Sequence, residues 1–425
     1  MDSPRPQLLI LADAPDALVE LFGVSMLERL LRIAQRLGFR EALILSKTPE
    51  AVATHLEKPS WARSDVTLNF RRRETDPLLI NDVAPAAERI LLVSAGFYYD
   101  ARLLKALAER DTTTLLLDSA PAPQSVPLWK NEGVDFRGGA LLDRDWLGRR
   151  QYDAALLDQL SADAGAGRIQ VCDAAAEPTY VPALRKHVRP VFFPAPGPEL
   201  VGLAEKFPKD VAQNGVLDFP GFLDSPIEDW IVKKLCRTSI RPNQVTFVTM
   251  LIGLAVTALF ATGHLWWGVA LAYAIEVLDG VDGKLARTKV ETTAAGEWEH
   301  EVDYAIELSW WTALAFHFHA AGLAASYWRL ALYVGSDLVD RLAKRAVKQK
   351  VGRNLDAVSN FDRFVRCIGA RRNVNIWVLI AALALGDAVN GFVLICWWGA
   401  ATAAAHLVRA IQIGGSSAPP LDWQE

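Results

Sequence analysis

Asp279 and Asp282, followed by Gly283, Ala286 and Arg287, stand at the end of an apolar stretch long enough to cross a bilayer. Carboxylates three residues apart share one face of a helix. At membrane depth a carboxylate is costly unless it binds something, so the pair reads as functional. Beyond it, Glu299 and Asp303 are four residues apart and again share a face, with His300 between them. Two helices that each present an acidic pair can close around hard divalent cations. Oxygen ligands suit Mg2+ or Mn2+. No zinc motif, nucleophilic serine elbow or P-loop competes with this cluster.

The elements that carry these residues fall in the second half of a chain of 425 residues, a length that suits two or three domains. Charged residues make up 22% and the net charge is −4, an average that hides a break near residue 240. Before it, charges are dispersed and apolar runs are short. After it, long uncharged windows appear. Nothing in this balance calls for a nucleic-acid partner. The four cysteines form no CxxC pair, which points to a reducing compartment or plain packing. The N-terminus lacks the pattern of a signal peptide, so the first domain is expected in the cytoplasm.

From Pro242 to Ile275 there is no Asp, Glu, Lys or Arg. That is too long for one span and suits a hairpin turning near Gly263-His264, the second span running into the acidic motif. Leu308 to Trp328 holds most of a third span and a turn near Gly322. A fourth continues to about Val339. Asn373 to Gly386 and Ala388 to Val408 make a fifth and a sixth, turning at Asp387. Lys284, Arg287 and Lys289 follow span two, and a basic stretch from Arg341 to Arg372 precedes span five. By the positive-inside rule, both termini and the acidic motif face the cytoplasm of a multi-pass inner-membrane protein. Trp266, Trp267, Trp310, Trp311, Trp328, Trp397 and Trp398 fit interfacial belts. Ser225 can cap a helix with Pro226 at its first position. Ile227, Trp230, Ile231 and Leu235 then share a face, as in an amphipathic helix lying on membrane lipid.

Asp279-x-x-Asp282-Gly283-x-x-Ala286-Arg287, eight residues and Gly296, then an acidic pair four residues apart, resembles the CDP-alcohol phosphotransferase signature. Arg241-Pro242-Asn243-Gln244-Val245-Thr246 resembles that family's Pro-Asn element beside the nucleotide. The resemblance covers about residues 224 to 412. It implies a transferase that moves a substituted phosphate from a CDP-alcohol donor to an alcohol acceptor and releases CMP. It also implies two divalent ions and a homodimer. Asn243, Thr246, Asp279, Gly283, Ala286 and Arg287 would hold the donor. Asp279, Asp282, Glu299 and Asp303 would hold metal, and Asp303 would be ligand or general base. The family pattern expects Asp at the positions of His300 and Tyr304. Either the loop is one residue shorter and Glu299 and Asp303 fill those roles, or His300 does part of the work. In relatives that use inositol phosphate, basic residues in the region of Arg363, Arg366, Arg371 and Arg372 hold the acceptor phosphate. That implies a phosphorylated polyol here, against the plain reading of those arginines as positive-inside charge.

In the first half, Gln7 to Ala12, Ala42 to Ser46, Ile90 to Ser94 and Thr113 to Asp118 read as strands, and Ser25 to Leu37 as an amphipathic helix. The alternation argues for a parallel α/β sheet. Leu21 to Arg29 and Gly38 to Glu41 resemble sugar-type nucleotidyltransferases, which some relatives fuse to the membrane domain in this order. Such enzymes carry a Gly-rich loop with an Arg after the first strand. Here Ala12-Asp13-Ala14-Pro15-Asp16-Ala17 has neither, and Asp100 comes late for a metal-binding Asp. The expected fold is therefore an α/β nucleotidyltransferase-like domain without catalysis (1–222), a juxtamembrane helix (223–241), an all-α six-helix transmembrane domain (242–412) and a tail (413–425). Two other readings stay open: a bifunctional cytidylyltransferase and phosphotransferase, and a non-catalytic membrane binding protein.

Overall fold

Period-two burial builds the first half. A computed structural model describes residues 5–57, 66–73, 87–129, 137–148, 156–291 and 296–415, the side chains of Leu157 and of residues 296–300 excepted. Strand β1 (Gln7–Leu11) turns Leu8 and Ile10 to one face of a sheet and Leu9 to the other, and each face has its own core. A hairpin of β2 (Glu20–Leu21) and β3 (Val24–Ser25) leads into α1 (Met26–Arg36). Ser25 caps α1, its Oγ accepting from Glu28 N at 3.2 Å. There follow β4 (Glu41–Ser46), α2 (Pro49–Leu56), β5 (Thr67–Arg72), β6 (Arg89–Ser94), β7 (Phe97–Tyr99), α3 (Ala101–Ala108) and β8 (Thr114–Leu117). After β9 (Arg137–Asp143) come α4 (Arg144–Gly148), α5 (Leu156–Gly165), β10 (Gln170–Asp173), a hairpin of β11 (Tyr180–Val181) and β12 (Lys186–His187), and β13 (Phe192–Pro194).

The main sheet has the order β10-β8-β9-β6-β1-β4-β5. Strand β1 lies parallel to both β4 and β6. The sheet is nevertheless mixed, and the expectation of an all-parallel one needs correcting: β9 runs antiparallel between β6 and β8. A parallel return needs a crossover, usually a helix. Among the described residues between β8 and β9 there is only a 3₁₀ turn at Val126–Leu128, and the chain comes back antiparallel.

The second half is helical. Helices α6 (Val201–Ala204) and α7 (Lys206–Ala212) precede α8 (Phe219–Leu235). The last starts six residues before the expected cap at Ser225. Asp218 caps it instead, accepting from Gly221 N at 3.1 Å, and Pro226 lies inside the helix. Phe219, Phe222, Leu223, Ile227 and Trp230 form an exposed apolar face on α8. Then come α9 (Pro242–Ala261), α10 (Leu265–Lys289), α11 (Gly296–Ala320), α12 (Ser326–Val351), α13 (Asn360–Ile368), α14 (Arg372–Ala384) and α15 (Ala388–Gly415). Among the described residues, α9 and α15 are long and apolar enough to cross a membrane, and α13 with α14, bent by 45°, qualify together as a third.

Trp310 and Trp311 do not belong to a belt. Both are buried in the bundle core with Phe260, Phe318 and Phe392, and Trp310 Nε1 donates to Gly253 O at 2.9 Å. Trp266, Trp267, Trp328 and Trp397 are exposed.

The two halves meet at the C-terminal end of α10. Arg29 Nη1 donates to Thr288 O at 2.9 Å, and Arg32 Nη1 donates to Lys289 O. Arg32 is also paired with Glu28 at 2.7 Å. Phe22 packs with Val232, Cys236, Val281 and Leu285 of the helical half.

Candidate active site

Helix α10 presents Glu276, Asp279 and Asp282 at three-residue steps, so one face carries all three. Asp282 is buried, and its Oδ2 accepts from Thr246 Oγ1 at 2.8 Å. Thr246 of the Pro-Asn element is thus joined to the acidic motif across the α9–α10 contact, while Asn243 is exposed one turn before it. Asp279 keeps 40% of its side chain exposed and pairs with Arg372 at 2.7 Å. The Arg372 guanidinium is a meeting point: Asp279, Glu307, Glu276 and Asp303 all act on it. Asp303 of α11 and Asp279 of α10 thus both lie within electrostatic reach of Arg372. Tyr304 is used differently, with the Arg341 guanidinium 3.9 Å above its ring.

A methyl group on Gly283 would stand 3.3 Å from both terminal nitrogens of Arg287, so glycine lets that guanidinium lie close against the helix backbone. Arg287 lies within the field of Asp282 and Glu228 and donates from Nε to Ala212 O at 2.6 Å. Ala286 is half-buried beside it. The four arginines expected at an acceptor divide into two pairs. Arg371 stands 3.3 Å from Asp218, and Arg372 lies at Asp279. Arg366 faces Asp356 at 3.8 Å, and Asp356 also acts on Arg363 and pairs with Arg185 of the sheet half. Of the four, Arg372 contacts the acidic face of α10, and Arg371 contacts the cap residue of α8.

Around this face, Tyr273 donates to Asp224 at 2.9 Å. Asp224 of α8 has its carboxyl pushed up by burial, against the Tyr273 hydrogen bond. Glu228, also on α8, is likewise raised by burial, its Lys284 partner opposing the shift. Sequence reasoning missed Glu276, Glu307, Asp218, Asp224 and Asn375. Their signal is spacing alone: Glu276 is three before Asp279, and Asn375 three after Arg372.

Hard oxygen donors at Asp279, Asp282 and Asp303 fit a divalent cation in kind. Among the described residues, no three His, Cys, Asp or Glu side chains are grouped closely enough to hold one. The Glu299 and His300 side chains lie outside the described residues. In the sheet half, Asp13 of the loop after β1 pairs with Arg73 at 2.6 Å and accepts from Lys47 N at 2.8 Å. Asp100 caps α3 and pairs with Arg102 at 2.7 Å.

Three comparisons bear on this arrangement. A curated protein described as a bifunctional IPC transferase and DIPP synthase, from Aquifex aeolicus (strain VF5), is 32% identical over 126 residues. The alignment covers 28% of this chain and 28% of that relative, so the chain spans little more than a quarter of its length. Two solved structures are each similar to about half of the chain. A Mycobacterium tuberculosis phosphatidylinositol phosphate synthase with CDP-DAG bound has 16% identity and a TM-score of 0.36, over 47% of this chain and 99% of that one. An inositol-1-phosphate CTP transferase from T. maritima has 10% identity and a TM-score of 0.34, over 49% of this chain and 98% of that one. Residues 239–404, which contain Thr246, the α10 motif, Asp303 and Arg372, match the model of the CDP-alcohol phosphatidyltransferase family, and this stretch of the chain carries that family's domain.

Proposed function

We propose that the chain is an integral-membrane transferase that moves a substituted phosphate group from a CDP-alcohol to an acceptor hydroxyl, with release of CMP. The observation that carries this is the α10 motif inside residues 239–404, its Asp282 fixed by Thr246 and its Asp279 sharing Arg372 with Asp303. Asp279, Asp282, Glu299 and Asp303 would hold two Mg2+ or Mn2+ ions, which when bound neutralise diphosphate charge. Arg287, its guanidinium close against Gly283, takes a phosphate oxygen of the donor. Asp303 is the base for the acceptor hydroxyl, a role supported by its place at Arg372 while Tyr304 lies under Arg341. Arg371 and Arg372 face the acceptor, whose class is a phosphorylated polyol. Six helices, α9 to α12, α14 and α15, cross the cytoplasmic membrane with both termini and the site on the cytosolic side. The exposed apolar face of α8 rests on lipid, and the protein works as a homodimer.

The sheet domain is read as a nucleotidyltransferase-like fold without its chemistry. Asp13 and Asp100 are occupied with ion pairs and a helix cap, and the loop after β1 offers phosphates no basic residue of its own. The second reading, a bifunctional enzyme that also makes its CDP donor, is favoured by the name of the Aquifex relative.

Purified full-length protein, given CDP-diacylglycerol or CDP-inositol with Mg2+ and a polyol phosphate, is expected to release CMP. Asp282→Asn is expected to lower the rate by about 10³-fold. A variant within threefold of wild type would remove the reading. Pyrophosphate release from CTP and inositol phosphate by the same preparation would establish the bifunctional alternative.

A further inference from the structure

Glu276 is 3% exposed, and neither carboxylate oxygen meets a hydrogen-bond donor among the described residues. It lies one helical turn below Asp279, within the field of Arg372, Asp224, Asp218 and Asp279. On the facing helix, Asn375 lies one turn below Arg372 and is wholly buried. Its Nδ2 donates to Tyr333 Oη at 3.2 Å, while its Oδ1 meets no donor. Tyr333 in turn donates to Glu307 at 3.3 Å, and Glu307 acts on Arg372. Three acceptor atoms without donors thus lie beneath the pair formed by Asp279 and Arg372.

A buried acceptor left without a donor bears the full cost of its desolvation, and a carboxylate bears more than an amide. Such groups in a native interior call for an explanation, by an ordered water, a catalytic role or a bound group that brings donors. The ligand that fits must bring donors. A further cation is the poorer match, because the Arg372 guanidinium already carries positive charge between the same carboxylates. Neutral hydroxyls suit better: the two oxygens of one carboxyl group can hydrogen-bond two neighbouring hydroxyls, which both donate and accept, and Asn375 Oδ1 can take a third. Arg371, paired with Asp218, and Arg372, paired with Asp279, supply charge that an anion could share.

We propose that Glu276 and Asn375 form the floor of the acceptor site and read the neighbouring hydroxyls of a phosphorylated polyol, whose phosphate is held above them by Arg371 and Arg372. This rests on the transferase reading and deepens it. The hydroxyls so held are the ones that do not attack, so the floor sets which alcohol is accepted and how it is turned.

The test uses full-length protein with CDP-diacylglycerol and CDP-inositol as donors and two acceptors, myo-inositol 1-phosphate and 2-hydroxyethyl phosphate. The second has no hydroxyl beyond the one that reacts. Glu276→Gln is expected to raise the KM for myo-inositol 1-phosphate about 10- to 100-fold, to erase most of its preference over 2-hydroxyethyl phosphate, and to leave the donor KM within threefold. Unchanged acceptor preference overturns the proposal, and so does a weakened Mg2+ requirement with the acceptor KM intact, which would make Glu276 a cation ligand. If Glu276→Gln does not purify as folded protein, Asn375→Ser carries the same comparison. Should wild type release no CMP with either donor, the transferase reading fails by itself. Calorimetric binding of myo-inositol 1-phosphate then decides: binding lost in Glu276→Gln supports the floor, and equal or absent binding overturns it.

Discussion

Lys284 is read most simply from sequence as a basic residue bound for water and lipid headgroups, yet it is buried and reaches Glu228 at 2.9 Å and Asp229 at 2.7 Å. Removing one member of such a group leaves charge uncompensated, which costs about 3–5 kcal/mol. The neighbouring Cys236 shows the same burial. Its thiol is pushed up to about 11 by desolvation, which outweighs the cations of Lys289, Arg29 and Arg32. Cys172 is also raised to about 11 by burial, whereas Cys367 is only half-buried. A raised thiol pKa leaves little thiolate at pH 7.5, and thiolate is the reactive form. Iodoacetamide should therefore mark Cys367 well before Cys172 and Cys236, with the latter two still slow at pH 9. Mass spectrometry of the labelled protein reads this, and equal labelling of all three would contradict the packing around α8. Asp279, Asp282, Gly283 and Arg287 were legible in the sequence because their spacing states a shared helix face. Glu276 was not, since one carboxylate at the end of an apolar run announces no partner, and its meaning depends on Arg372 arriving from α14.

Helices α8 and α10 cross closely at Gly280, where a methyl group would run into the Glu228 carboxylate. That carboxylate is held by Lys284 and has little room to yield. Gly280→Ala is expected to destabilise the protein by about 1–3 kcal/mol, the usual cost of overpacking. Gly335→Ala on the exposed side of α12 meets nothing within 4 Å and should hold or raise melting, so thermal unfolding of the two variants side by side checks the crossing. The helices of the second half were legible from uncharged windows and glycine turns; Gly263, for instance, takes φ +79 between α9 and α10. The start of α8 was not. Ser225-Pro226 looks locally like a better cap than Asp218, but Ser225 donates to Gln213, and Asp224 accepts from Tyr273, so tertiary contacts claim that turn for the helix interior. Strand β9 was not among the strands read from the sequence, and its direction would have stayed hidden in any case. Alternation of apolar residues gives a strand its faces and says nothing of which way it runs.

The division into a charged first half and an apolar second half was legible near residue 240, but the joint between them was not. Glu28, Arg29 and Arg32 look like the wet side of an amphipathic helix and are in fact buried against α10. Two arginines donating to the last carbonyls of a helix satisfy groups that the helix itself leaves open, and their charge suits that end of its dipole. The double variant Arg29→Ala, Arg32→Ala should loosen the end of α10, raising amide exchange over residues 286–291 by about 10-fold or more while the sheet strands stay protected. Unaltered exchange there would show that the joint is held by other contacts. Helix α1 also precedes α10 by more than two hundred residues in the chain. Domains fold in order as they leave the ribosome, the N-terminal one first. The residues of α1 that receive the end of α10 are therefore already made when that end leaves the ribosome.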